Sequence, residues 1–365
     1  MKKIAVLDIA ASKTGALSIL QDFAAFVRKY DKENEWYFIT GAEGLIEPSE
    51  HLHVLPRPDV KFSKVNRLKF DHFTGAHYLS SLGCDVVFSM QNTLPKGNIM
   101  GRDGKCAKTA VYVHQPLGYQ TWKKFSPFKR YEREYAMYQY LIAREIDASV
   151  RRADKVIVQT EWMKDAVAKK TGISRDKIAQ ILPDVPEVTE QFDLSKWSVK
   201  KFIYPAGMIL YKNHQLIVDA VNILNKRGYT DFEVIFTLKR DEAPWIEGET
   251  SANIKWNGSM ERNELMKLYA ESTLIFPSYI ETYGFPPAEA RMVGTMVLAA
   301  DMPFTHEVLK DYENAFFFDA FDEKKVAELI QNVLDGRLKP MPVEKQNQEP
   351  SGSSYARIVE ALKEM

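Results

Sequence analysis

The chain is poor in cysteine, in net charge and in long apolar runs, and each shortage removes a class of protein. Cys84 and Cys106 are the only cysteines in 365 residues, too few for a disulfide framework or a cysteine-built zinc site, which fits a reducing compartment. The 49 Lys and Arg balance 49 Asp and Glu, so no bulk attraction to nucleic acid follows. No apolar stretch approaches the length needed to cross a bilayer. Lys2-Lys3 followed by Ile4-Ala5-Val6-Leu7 opens like a leader, but Asp8 ends the run after four residues. Asp-x-Asp, G-x-G-x-x-G and a P-loop lysine after a second glycine are all missing. The expectation is a cytoplasmic protein, soluble or peripheral at the inner face of the membrane.

What is present is a repeated alternation of short apolar runs and amphipathic stretches. Strands are expected at 3–9, 36–40, 52–55, 86–89, 110–114 and 155–158, with helices at 17–30, 71–81 and 131–151 between them. After a stretch with two prolines and no periodicity, 181–200, the pattern restarts with a strand at 201–205 and a helix at 215–227. Alternation of this kind predicts parallel sheets covered by helices on both faces, and the length favours two domains. The reading places a first domain at 1–190, a second at 198–345, and a last helix at 352–365.

Leu274 to Gly294, LIFPSYIETYGFPPAEARMVG, is the stretch around which the rest is organised. Leu274-Ile275-Phe276 is a buried strand that Pro277 and Ser278 end. A loop then carries Glu281, Tyr283, Gly284 and Phe285. Pro286 and Pro287 prepare a helix start, with Glu289 expected in its first turn. Both glutamates would stand at the carboxyl end of a parallel strand, where open α/β sheets bind ligands. Acidic residues near helix starts are common for electrostatic reasons; the whole string at fixed offsets is more specific.

That string resembles the signature of the family-4 retaining glycosyltransferases of the GT-B fold (glycosyl transferases group 1), whose E-x7-E motif Glu281 and Glu289 match. The family's usual E-G-F-G-L-P stands here as E-T-Y-G-F-P, so Gly284 is kept while the glycine after the first glutamate is missing. The resemblance implies two Rossmann-like parallel-sheet domains facing a central cleft, with the C-terminal helix crossing back to the first. It further implies transfer of a sugar from a nucleotide sugar, UDP by family frequency, to a glycan or lipid-linked saccharide in bacterial surface polysaccharide assembly, with retention of configuration.

Lys212 lies just before a helix start, where a cation and free N–H groups together would grip a diphosphate. The string Tyr204-Pro205-Ala206-Gly207 through Lys212-Asn213-His214 resembles the family segment whose lysine holds the donor pyrophosphate, with Gly207 beside it. Met208 stands where many relatives have arginine, so Lys239 or Arg240 is expected to supply a second cation. By resemblance Glu289 accepts from the ribose hydroxyls and Glu281 contacts the donor sugar. The backbone of Tyr283, Gly284 and Phe285 approaches sugar and phosphate. With Lys212 and helix N-termini facing the leaving diphosphate, no metal and no cofactor are expected.

In the first domain, strand, small-residue loop and helix make a phosphate-cradling arrangement, and Gly15 is the residue carried over. His114 ends a strand; a structural histidine is the common case there, and the resemblance adds a hydrogen bond to the donor sugar. Trp122 to Tyr131 interleaves basic and aromatic residues, which suits a membrane interface, an acceptor-facing loop or local packing. Two rivals stand beside this reading. A glycosidase would use the two glutamates as acid and nucleophile. A catalytically silent homologue would bind sugar nucleotide or glycan as a partner protein.

Overall fold

The computed structural model describes residues 1–11, 14–185, 192–248, 250–342 and 353–365. The chain divides into two compact units, the first comprising residues 1–125, 135–183 and 350–365, the second residues 126–134 and 184–349.

The first unit is built on seven strands: β1 (Lys3–Asp8), β2 (Glu35–Thr40), β3 (Leu52–Pro56), β4 (Val86–Ser89), β5 (Lys108–Tyr112), β6 (Lys155–Val158) and β7 (Ile178–Gln180). They form one parallel sheet in the order β3-β2-β1-β4-β5-β6-β7. Parallel strands are covered on both faces and so read as continuous apolar runs. β1 shows this: Ala5 and Leu7 enter the core on one face, Ile4 and Val6 that on the other, the period-2 alternation of a strand. The helix Ser354–Lys363 completes the second of these cores. Its Ile358, Val359 and Leu362 pack with Phe23, Trp36 and Phe88, and Lys155 Nζ donates to Ala361 O at 3.1 Å. The C-terminal helix therefore packs on the first unit.

The second unit has six strands: β8 (Lys201–Tyr204), β9 (Glu233–Phe236), β10 (Ile254–Trp256), β11 (Thr273–Phe276), β12 (Val297–Ala300) and β13 (Ala315–Phe318). Their order, β10-β9-β8-β11-β12-β13, is all parallel. It is the doubly wound order of dinucleotide-binding sheets, with its reversal between β8 and β11. In the first unit the corresponding reversal lies between β1 and β4. These two strand pairs define where each sheet opens a crevice at its carboxyl edge, because their connecting helices leave to opposite faces.

Helix boundaries follow local rules. The helix Glu161–Thr171 stops at Gly172, at φ 76°, and Phe285–Val293 stops at Gly294, at φ 93°; both are left-handed positions that glycine occupies without a Cβ clash. Residues 64–81 are helical throughout, as three abutting segments, Lys64–Lys69, the π-turn Phe70–Thr74 and Gly75–Ser81. The expected start at Asp71 is thus late, since Ser63 caps the helix by accepting from the Asn66 amide at 3.2 Å.

Candidate functional site

In the second unit the loops after β8 and β11 meet at the reversal point. The chain leaves β8 through Pro205, Ala206 and Gly207, makes a 3-10 turn Leu210–Lys212, and enters the helix His214–Lys226 through Asn213 at φ 64°. Tyr204 Oη donates to Lys212 O at 2.6 Å. The Asn213 amide donates to Ala320 O at 2.8 Å and to Pro277 O at 3.2 Å, so one side chain ties together the loops after β8, β11 and β13. Tyr279 N donates to Tyr211 O at 3.2 Å. This lattice holds Lys212 where its Nζ forms an ion pair with Glu281 Oε1. Ser278 Oγ donates to the same oxygen at 2.7 Å. Both charged groups are largely buried, where an ion pair is screened less than at the surface.

Glu289 is placed differently from the expectation. The helix begins at Phe285, so Glu289 is its fifth residue, in the second turn. Gly284 at φ 95° turns the chain directly into Pro286 and Pro287, and the two fixed pyrrolidine φ angles fill the first turn. The first turn also offers an anion little: Pro286 and Pro287 have no N–H, and Ala288 N points to Gly284 O at 3.5 Å. Of its amides only that of Phe285 can reach a ligand. Glu289 faces Arg262 Nη2 at 3.4 Å and Tyr269 Oη at 3.5 Å. Burial raises its carboxyl above the usual range, and the Arg262 charge opposes that rise.

Around this pair of glutamates, Tyr283 and Phe285 lie ring to ring at 5.4 Å, close to perpendicular. Gly207 has open space where a Cβ would stand, which leaves its backbone approachable, and Met208 is exposed. Arg240 turns its guanidinium into its own loop, donating to Ala243 O at 3.0 Å and Ile246 O at 3.1 Å and stacking on Trp256. His214, two residues beyond Lys212, is buried against Tyr204 and Phe236. Burial, then the nearby Lys212 charge, pulls its imidazole down to about 3, so it is a neutral packing group.

In the first unit, Gly15 falls in the first turn of the helix Thr14–Tyr30; Ser12 and Lys13 lie outside the described residues. Asp8 ends β1 buried, accepting from Ala11 N at 3.0 Å. Burial raises its carboxyl to about 6 against the Ala11 amide, Arg67 and Lys61, which lower it. Gln91, after β4, accepts from Ile9 N at 3.2 Å across the reversal point.

His114 is held by Asn92, a residue at φ 66°. Asn92 Oδ1 accepts from His114 N at 2.8 Å and Gln115 N at 3.1 Å, which fixes the amide so that its Nδ2 faces His114 Nε2 at 3.2 Å. A donor there makes Nε2 the acceptor and leaves the proton on Nδ1. His114 Nδ1 is buried and has no hydrogen-bond partner among the described residues. Burial lowers the ring to about 4, so at neutral pH it is an uncharged imidazole with a free buried N–H donor.

The basic and aromatic stretch 122–131 spends most of its rings on packing. Trp122 packs on Trp162 at 5.9 Å, Phe125 is buried against Tyr135, and Tyr131 meets Trp245 within the second unit. Phe128, 88% exposed, is left open.

Asn92, Asp8, Asn213, Ser278, Arg262 and Tyr269 were not singled out by sequence reasoning. For Asn92 and Asn213 there was a signal: asparagine beside a strand end or helix start favours the left-handed region. For the others the partner is distant in the chain. Among the described residues no three His, Cys, Asp or Glu side chains converge to hold a metal ion.

Two doubly wound parallel units, each with a polar cluster at its reversal point, define a two-domain α/β protein of GT-B architecture. Solved structures share it over the whole chain. A glycosyltransferase from Rickettsia africae aligns with a TM-score of 0.65 at 16% identity, covering 100% of this chain and 98% of that one. Anabaena Alr3699/HepE, in complex with UDP-glucose, aligns at 0.63 and 14% identity over 100% of both. Residues 190–349 match the family described as Glycosyl transferases group 1. That match covers most of the second unit. The chain is also 28% identical over 193 residues to the O-antigen chain mannosyltransferase RfbU of Salmonella typhimurium, a match spanning 51% of this chain and 52% of that protein, about half its length.

Proposed function

We propose that this chain is a retaining glycosyltransferase that moves a sugar from a nucleotide sugar to a glycan or lipid-linked saccharide acceptor in surface polysaccharide assembly. The observation that carries the reading is the Lys212–Glu281 pair at the β8/β11 reversal point, where open α/β sheets take their ligands. Lys212 supplies the cation for the departing diphosphate, and Glu281, relieved of Lys212, turns its oxygens to donor-sugar hydroxyls. Glu289 accepts from the ribose hydroxyls when ionised, and Gly207, Tyr283, Gly284 and Phe285 bring backbone close to phosphate and sugar. Gly15, in the first turn of the helix Thr14–Tyr30, brings backbone to the phosphate side of the first unit. His114 donates its free Nδ1–H to a sugar hydroxyl. Arg240 has two carbonyls already on its guanidinium, so the second cation of the expectation is at best shared with loop stabilisation.

Transfer without a metal ion follows if Lys212 neutralises the leaving group. UDP is the preferred base, supported by UDP-glucose in the Anabaena protein; the likeness to an O-antigen mannosyltransferase puts mannose among the sugars and supports an acceptor on a growing surface glycan. The acceptor's lipid places the protein at the inner membrane face as a peripheral partner; among the described residues no helix is long and apolar enough to cross a membrane.

The test is binding and slow hydrolysis across UDP-, GDP- and dTDP-sugars with EDTA present, for wild type and Glu289→Ala. Nucleotide-selective turnover that survives EDTA and drops at least about tenfold in the variant supports the reading. Binding that never leads to turnover, even with membrane glycolipid added, favours a silent homologue, and activity only with a divalent ion overturns the role given to Lys212.

A further inference from the structure

Residues 57–74 leave β3 at the carboxyl edge of the first sheet and fold as Pro58–Lys61, Lys64–Lys69 and Phe70–Thr74. The inner side is anchored. Val60 and Phe70 are buried, and the Arg57 guanidinium covers the rings of Phe70 at 5.4 Å and Tyr78 at 4.6 Å. Lys61 Nζ donates to Ala10 O, which seats the segment against the loop after β1.

Among the described residues nothing covers the outer side. Phe62 is 78% exposed, Val65 65%, Leu68 60% and Phe73 79%. Val65, Leu68 and Phe73 recur at i, i+3 and i+8, the spacing of one helical face. Singly exposed apolar residues are ordinary, whereas four large ones within twelve residues form a patch that calls for an occupant. The charges left unpaired around it are of one sign. Its two carboxylates, Asp59 and Asp71, are taken by Arg57 at 2.8 Å and Arg67 at 2.7 Å. Lys64 and Lys69 make no ion pair among the described residues and flank Val65 and Leu68 directly in sequence.

We propose that this face is a docking surface for an anionic lipid bilayer. Phe62, Val65, Leu68 and Phe73 enter the boundary between headgroups and acyl chains, and Lys64 and Lys69 rest on headgroup phosphates. Apolar side chains flanked by lysine are what an interfacial helix needs, while the centres of protein–protein interfaces are depleted in lysine. The surface gives the membrane contact of the proposed function a location other than the 122–131 stretch, where Phe128 is the one ring more than half exposed. It rests on that reading for its purpose, but vesicle binding needs neither donor nor turnover, so the two fail separately.

The full chain is sedimented with vesicles of phosphatidylcholine alone or mixed with phosphatidylglycerol, at low and high salt, and its solution mass is measured without vesicles. Wild type should pellet with the anionic vesicles and be released by salt. Leu68→Ser/Phe73→Ser should lower the partition about tenfold, and Lys64→Glu/Lys69→Glu about fivefold per lysine. Phe128→Ser should leave it unchanged. Thermal melting and donor binding equal to wild type show that the variants fold. The proposal is overturned if wild type ignores anionic vesicles, if both double variants bind as wild type does, or if Phe128→Ser alone abolishes binding. It is equally overturned if the face proves to hold a second copy, seen as a solution dimer that Leu68→Ser/Phe73→Ser dissolves.

Discussion

Lys212 and Glu281 are 69 residues apart in the chain and share an ion pair, so each holds the other in place before any ligand arrives. On the proposed function, a donor diphosphate draws Lys212 away and frees Glu281. Lys212→Ala removes the cation and leaves Glu281 its hydrogen bond from Ser278. Donor affinity measured by calorimetry should fall about 10- to 100-fold, the worth of a charge-assisted hydrogen bond in a largely buried site. A fall under about threefold would remove Lys212 from phosphate binding. Asp8 makes a second residue-scale prediction. Its folded carboxyl is raised from 3.8 to about 6, chiefly by burial, so the folded state holds the proton more tightly than the unfolded chain. The stability it contributes is complete below about pH 3.8 and is lost as pH rises through about 6. Asp8→Asn, a neutral isostere that still accepts from Ala11 N, is free of that loss. Its melting temperature should therefore gain on wild type between pH 4 and pH 7 and run parallel above. A gap that does not change with pH would mean Asp8 is not titrating in the fold.

At the scale of elements, the loops after β8, β11 and β13 are joined through Asn213, which combines a left-handed backbone with two hydrogen bonds to carbonyls. The two contributions can be separated. Asn213→Gly keeps the backbone and loses the bonds, which should cost about 1–2 kcal/mol. Asn213→Ala loses both, adding about 1–2 kcal/mol for φ above zero at a residue with a Cβ. Urea unfolding that ranks alanine at or above glycine in stability would refute the account. The element containing Glu289 shows what local rules miss. Consecutive prolines signal a helix start, and the start came out one residue ahead of Pro286, which moved Glu289 into the second turn. There its partners are Arg262 and Tyr269 on a neighbouring helix rather than amides of its own, and no sequence window includes both.

For the molecule as a whole, the C-terminal helix is part of the first unit's core although nearly the entire chain separates it from β1. Leu362 is fully buried with Phe23 and Trp36 in that core, so Leu362→Ala, three residues from the end, should destabilise by about 2–4 kcal/mol. The thermal transition should fall accordingly, and an unshifted melt would show the helix to be docked only loosely. The alternation of strands and helices, the parallel sheets it implies and the group 1 resemblance carried by 274–294 were legible because each rests on short-range pattern. The pairing of Lys212 with Glu281, the free Nδ1–H of His114 and the outward face of 62–73 were not.

The sequence by itself determined two parallel α/β units: apolar runs too short for helices must be buried strands, and the amphipathic stretches between them must cover both faces. It also determined that loops rich in glycine, proline and asparagine stand at the strands' carboxyl ends. Only the tertiary structure decided which of those loops touch. Strand order places β8 beside β11 and β1 beside β4, and contacts between residues tens of positions apart follow from that order rather than from any local preference. Burial too was decided there, and with it the neutral His114, the raised Asp8 and Glu289, and the apolar face left without a partner.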